Sequence, residues 1–413
     1  MRKLLSIIAT CLLFSLVLPS ALADTLRIAG PWIDTDRNGD VIAPAWYSAW
    51  QQACPDVSLS IEPGSPYDSV AGLSAAVDSG AAPDVMLVNS FFFDLQELMA
   101  SGALLDLSSD PELAALVAEM YPAYAEAASL NGALYGIPCD ISFSGLCYTE
   151  PAWTKAGYTA ADAPTSFSSL LDFLEGWVER CRTAPVPDVC VNNMFDKLTE
   201  TSYITFLTEH LLFEYSYYRM AQDEPLRYDT PEIVALLERI RAVGRALYEV
   251  DRPKTSEYCL LEDLFGGQHI LRSIPSRVSD DEPPLIPVHM DMLCIPASCR
   301  NPEAARAFIR LYMETMRSGT AVTERDFLAL LARAMLFPDA TGAVPNYHHP
   351  DEPKLTVEQL ADYRALVPRV RVISLYNELP FSRATRELTR QFAAGTLTAQ
   401  QFAAGIDRQP TDE

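Results

Sequence analysis

A carboxylate and a hydroxyl, Asp140 and Ser142, stand close together on one short stretch of the chain. An acid placed there can pair with a cationic ligand or accept bonds from hydroxyls. Asn89, Ser90 and Phe91 follow the apolar run Val85 to Val88, and open α/β sheets hold ligands just beyond the carboxyl ends of parallel strands. Tyr203 begins a helix and can present its ring to the same space. Phe92 and Phe93 are expected in the core of the following helix, and Tyr215, Tyr217 and Tyr218 in the packing of a later one. Other chemistry finds little support. Phe265-Gly266-Gly267-Gln268 lacks the Lys-Ser/Thr of a phosphate loop, and neither GxSxG nor HExxH occurs. CxxC spacing is absent and the His are scattered apart from His348-His349, so neither a metal site nor a cofactor is expected.

These groups need a scaffold that brings strand ends together. Leu26 to Ala29 reads as a short strand, followed by Gly30-Pro31 and the polar loop Asp34 to Asp40. Trp46, Tyr47 and Trp50 share a face of a helix expected over Pro44 to Gln52. Val57 to Ile61 is a second strand, Ser69 to Ser79 a helix stopped by Gly80, and Val85 to Val88 a third strand. Strands alternating with helices at this spacing predict a parallel sheet. Leu113 to Ala128 is expected as one helix, with Asn131-Gly132 turning the chain toward Leu134 to Pro138. Helices dominate from Ser168 to Arg182, Ile204 to Met220 and Pro231 to Glu249, as in a second unit. Strands return at His269 to Ile274 and Met292 to Pro296. Pro302 to Met316, Val357 to Leu366 and Phe381 to Ala394 are expected helices, with Gly395 ending the last. Helical spacing places Trp177, Phe308 and Tyr312 in the core.

The N-terminus carries an export signal: Arg2 and Lys3, the apolar run Leu4 to Leu18, and a small-residue cleavage site ending at Ala23. No later apolar run reaches the ~20 residues of a membrane helix. With Arg2 and Lys3 removed, 29 basic residues stand against 55 acidic, a net charge of −26. That balance and the absence of a basic cluster exclude nucleic acid as a partner. Eight cysteines follow the cleavage point, an even number that permits disulfides in an exported chain. Cys181 and Cys190 flank the Pro-rich loop Thr183 to Asp188 and are the preferred pair.

Several segments together resemble the extracellular solute-binding proteins of ABC importers, in the branch of the maltose-type sugar binders. They include Tyr67-Asp68-Ser69-Val70, Ser79-Gly80-Ala81-Ala82-Pro83-Asp84-Val85, Ser101-Gly102-Ala103-Leu104-Leu105 and Asn131-Gly132-Ala133-Leu134-Tyr135-Gly136-Ile137-Pro138. Leu146-Cys147-Tyr148, Cys294-Ile295-Pro296, Asn301-Pro302-Glu303-Ala304-Ala305 and Phe392-Ala393-Ala394-Gly395-Thr396-Leu397-Thr398 extend the likeness to nearly the whole mature length. The resemblance implies a type II periplasmic-binding-protein fold, α/β, with two lobes that each carry a mostly parallel sheet flanked by helices. Residues 24–138 with 285–338 would form the first lobe, and 139–284 with 339–413 the second. It also implies ligand contacts at Trp32 and Asp34 after the first strand, at Ser273 beside a segment replacing a cleft strand, and at Tyr376, Asn377 and Arg383 near the last helix.

A narrower likeness, to secreted thiaminase I of the same fold, covers Val88-Asn89-Ser90-Phe91-Phe92, Tyr135 to Tyr148 and Ile204 to Leu226. Matched without a gap, Ser142 falls where that enzyme's nucleophilic Cys would stand and Pro275 where its activating Glu would be. Proline cannot act as a base, and a Ser hydroxyl without one is a poor nucleophile. Cys139, three residues from Ser142 along an extended segment, would point to the other face. The implied function is therefore non-enzymatic: an exported, periplasmic or extracellular monomer, peripheral to the membrane, that closes on a small ligand and delivers it to importer membrane subunits. A sugar or oligosaccharide is the first expectation, with a thiamin-like molecule next. A thiamin-cleaving enzyme or an inactive relative is the alternative.

Overall fold

Leu26 and Ile28 alternate with Thr25 and Arg27, and the period of two resolves as the strand Asp24–Ala29, with Leu26 and Ile28 fully buried. The computed structural model describes residues 24–30, 34–35, 41–62, 67, 69–143, 145–148, 150–184, 189–192, 199–250, 258–263, 277–319, 323–346, 351, 353–374 and 382–409. Asp24–Ala29 pairs in parallel with Val57–Glu62 on one side and Val85–Asn89 on the other. Val57–Glu62 alternates half-buried and exposed residues, as an edge strand does.

The sheet continues through Ile286–Cys294, which runs antiparallel to Val85–Asn89 and to Ile137–Phe143 and parallel to Val370–Val372. It is therefore mixed rather than mostly parallel. The chain re-enters it from the second body instead of through a crossover helix, and only parallel neighbours need such a crossover. The returning strand begins six residues earlier than its sequence suggests, at Ile286 rather than Met292. The expected helix over 113–128 is two helices, Pro111–Ala118 and Pro122–Ala127, because Pro122 has no N–H to continue the first.

A second sheet joins Gly145–Tyr148, Tyr258–Asp263 and Cys190–Asn192, beside the helices Phe167–Thr183, Glu200–Met220 and Pro231–Val250. Ser166 and Ser169 form a capping box at the start of the first of these helices. Trp153 stacks on Phe173 at 5.0 Å, and Phe392 on Phe402 at the same distance.

Two separate hydrophobic cores result. The first draws its buried residues from Leu26 to Ile141 and from Ile286 to Val370; the second from Ala152 to Val278 and from Phe392 to Ile406. The chain thus passes between them three times: after Ile141, after Val278 and after Val370. One boundary differs from the sequence reading. Ala340, Val344, Leu355, Leu360, Tyr363 and Val370 pack in the first core, although 339–413 was assigned to the second lobe. The Tyr363 hydroxyl, bonded to that of Tyr124 at 2.6 Å, ties this stretch to the first core.

Two glycines test the packing with opposite signs. A Cβ on Gly244 would lie 2.7 Å from Ile204 Cγ1 and 3.1 Å from its backbone nitrogen, where the helices Glu200–Met220 and Pro231–Val250 meet. A Cβ on Gly176 meets nothing within 4 Å. Gly244→Ala should cost about 1–2 kcal/mol through overpacking, and Gly176→Ala should gain about 1 kcal/mol of helix propensity. Denaturant midpoints at unchanged m-value check both.

Candidate functional site

The strand Ile286–Cys294 has two different faces over its middle. Val288, Met290 and Met292 lie in the first core, so His289 and Asp291 stand on the face turned away from it. On Ile137–Phe143, the residues Ile137, Cys139 and Ile141 belong to the same core, which leaves Asp140 and Ser142 on the opposite face. Register then assembles the site. Asp291 is opposite both Asn89 and Asp140, and His289 is opposite Ser142, with an irregularity between Asp291 and Met292 that resets the pairing. Directly opposed residues share a face with Cβ atoms about 5 Å apart. Asn89, Asp291 and Asp140 therefore form one rung across three strands, with His289 and Ser142 in the next.

Hydrogen bonds fix the rung at its Asn89 end. The Asn89 amide donates to Asp291 Oδ1, and its carbonyl oxygen accepts from the Phe91 backbone N–H at 2.6 Å. Ser90 is wholly buried; its Oγ accepts from the Met290 N–H at 2.9 Å, so it splices the strand end to its neighbour rather than facing a ligand. On the other side, Asp140 Oδ1 accepts from the Ile141 N–H at 2.8 Å.

Electrostatics follow from this packing. Burial pushes Asp140 up to about 7, against the pull of the Ile141 N–H. Burial, and then the charge of Asp140, pushes Asp291 up to about 8, opposed by Asn89. Solvent nonetheless reaches the Asp140 side chain, which weakens the effect of burial there. The two carboxyls titrate as a pair. His289 is buried, burial lowers it to about 4, and neither ring nitrogen has a hydrogen-bond partner among the described residues. Burial and the two acids hold the Cys139 thiol well above its ordinary value, in the first core.

A file of rings runs through His289. Tyr217, from the helix Glu200–Met220, meets the His289 ring at 5.3 Å; His289 meets Phe91 at 4.9 Å; Phe91 meets Phe92 at 5.1 Å; all three contacts are edge-on. Tyr217 and His289 are buried, whereas Phe92 is 51% exposed. Phe92 therefore leaves the core expected for it, while Phe93, at 1%, takes that place.

The other predicted residues scatter. Tyr203 is fully buried in the second core. Arg383 is exposed at the first position of the helix Arg383–Ala393. Asp34 lies in the short strand Asp34–Thr35, paired with Val41–Ile42. Trp32, Ser273, Tyr376 and Asn377 lie outside the described residues, as do the expected strand over 269–274 and Pro275. Cys181 is half-buried near the end of the helix Phe167–Thr183, and Cys190 is buried at the start of Cys190–Asn192. Sequence reasoning missed Asp291, His289 and Tyr217. The polar residues at 289 and 291, between Val288, Met290 and Met292, were the available signal.

A family model of the bacterial extracellular solute-binding proteins matches residues 45–256. No curated protein matches the chain. Solved structures do, at low identity. The cyclic alpha-maltosyl-1,6-maltose binding protein of Arthrobacter globiformis is 13% identical with a TM-score of 0.54, over 93% of this chain and 97% of its own. The maltose-bound MalE3 of T. maritima is 13% identical with a TM-score of 0.56, over 93% and 98%. An ABC transporter solute-binding protein of Agrobacterium radiobacter, in complex with ribitol, is 14% identical with a TM-score of 0.53, over 93% and 96%. These are two-lobed type II folds, and the present chain shares that architecture.

The acid pair gives stability a pH dependence of definite sign. Both carboxyls lie above their ordinary range when folded, so their stabilising contribution is complete below about pH 4 and is lost as pH rises through about 7 and 8. Asp291→Asn should therefore be more stable than the parent at about pH 9, by on the order of 1–2 kcal/mol after discounting for solvent at Asp140, and should converge with it near pH 4. Thermal unfolding of both chains across that range is the measurement. A variant less stable than the parent at the alkaline end would contradict the reading.

Proposed function

The chain belongs to the bacterial extracellular solute-binding proteins, and from that membership we propose that it captures a small organic solute on the face bearing Asn89, Asp140, Ser142 and Asp291, closes on it, and presents it to the membrane subunits of an ABC importer. The observation that carries this reading is the Asn89–Asp291–Asp140 rung, which faces away from the first core at the place where Tyr217 of the second body meets His289. Three chain passages between the cores supply a hinge for closure.

A sugar or polyol is the first solute to test. The similar structures from A. globiformis, T. maritima and A. radiobacter are named for, or hold, maltosyl sugars and ribitol, and a carboxylate can accept bonds from neighbouring hydroxyls. Two observations support a binder over a thiamin-cleaving enzyme. Cys139 points into the first core with a thiol kept protonated, so it supplies no nucleophile. Ser142 faces His289, yet the imidazole makes no hydrogen bond to it, so no base is engaged. Cleavage after Ala23, a monomeric state, peripheral attachment to the membrane and a Cys181–Cys190 bridge complete the proposal.

The test uses the mature chain from Asp24, screened by thermal shift against sugars, polyols, amines and thiamin, with X-ray scattering on any ligand that binds. At a ligand concentration of about 100 Kd, binding to the native state alone adds about 2.7 kcal/mol. The expected result is a raised melting point together with a smaller radius of gyration. Loss of thiamin on incubation, or binding that leaves the radius unchanged, would overturn the proposal.

A further inference from the structure

We propose that the solute held at this face is an organic cation, with an ammonium or amidinium group lodged between Asp140 and Asp291 and its apolar body against Phe91 and Phe92. The inference rests on the reading that the Asn89–Asp291–Asp140 face is the binding site, and it adds the charge of the occupant.

Three independent observations lead to it. The first is charge. The two carboxylates face each other across adjacent strands, and among the described residues no Arg or Lys contributes to the electrostatics of either. Cys139 and Tyr312, which feel the charge of both acids, are themselves held protonated. Two like charges in such a place are relieved by a proton or by a cation, and a neutral sugar supplies neither.

The second is the inventory of donors and acceptors. Asn89 gives one of its two amide N–H groups to Asp291, and the Ile141 N–H is taken by Asp140. Oδ2 of Asp140 and Oδ2 of Asp291 accept whenever the carboxyls are ionised. Beside them on the same face, His289 is buried at 4% exposure, neutral, and has no hydrogen bond at either ring nitrogen among the described residues. One of those nitrogens is an acceptor and the other an N–H donor. An ammonium or amidinium can use the first while the two carboxylates take its remaining donors.

The third is the wall. Phe92 is a large apolar ring left half in solvent, braced edge-on by Phe91, whose backbone N–H bonds to the Asn89 that holds Asp291. Aromatic faces attract organic cations and cover their carbon skeletons. No group of three His, Cys, Asp or Glu able to hold a metal forms among the described residues, so the pair suits an organic cation better than a divalent ion.

Matched probes isolate the charge: benzylamine against benzyl alcohol and glucosamine against glucose, each titrated calorimetrically into the mature protein at low salt. Each amine should bind at least about ten-fold more tightly than its neutral partner, and Asp291→Asn should remove most of that difference. Phe92→Ala should weaken benzylamine more than glucosamine. Neutral partners binding as well as or better than the amines would overturn the cation while leaving solute capture intact. No binding by any probe, with no other solute shifting the melting point, would overturn both. The comparison between probes on the unaltered protein decides the question even where a variant fails to fold.

Discussion

Setting two carboxylates face to face across adjacent strands is the constraint around which the rest of the structure is arranged. The strand Ile286–Cys294 must be apolar on one side to fill the first core, and it is, through Val288, Met290 and Met292. Its other side carries Asp291 against Asp140. A sheet face built only for stability would place an apolar or oppositely charged residue at one of these positions, since like charges directly opposite weaken a strand pair. Asn89 and the Ile141 N–H soften the arrangement without cancelling it. Such a pair within a sheet fits the proposed binding face, where stability would be given up for recognition.

The mixed sheet is what brings the pair together. Asn89 ends a strand of the first pass through the first core, Asp140 lies on the way out, and Asp291 on the way back. A purely parallel arrangement would place each of them at the end of its own strand, side by side along one edge. The antiparallel return puts them in a single rung instead. It also carries His289 to the place where the second body's Tyr217 touches the first. The proposed binding face and the junction between the bodies are thus made by the same strand.

The fold was largely legible in the sequence because its local signals agree. Gly80 closes a helix in the left-handed conformation, φ 69°, where no Cβ is present to object. Asn301 and Pro302 open the helix Pro302–Ser318 as their types require. The site was legible only where its residues follow a strand end or occupy a crossing, as Asn89, Phe91, Asp140 and Ser142 do. Asp291 was hidden because Pro283, Pro284 and Pro287 argue against a strand just where this one begins. Tyr203 misled for a different reason. The helix Glu200–Met220 buries Tyr203, Leu207, Leu211, Tyr215, Tyr217 and Tyr218 on several sides, so no stripe of spacing says which ring meets the junction. Tyr217 does, and only its contact with His289 across the two bodies reveals it.

Closure and charge are linked by the same physics. Bringing the second body further over Asp140 and Asp291 would strip the water that still reaches Asp140, and the cost of desolvating a charge rises steeply as water leaves. An empty site therefore resists closing, or closes only with protons taken up. An occupant carrying positive charge removes that resistance because its attraction to the pair strengthens as the surroundings become less polar. A ligand shifts a conformational equilibrium only by its differential affinity for the two states. Under the proposed reading that difference would come from the acids, which penalise the closed form when they face each other alone and favour it when a cation lies between them.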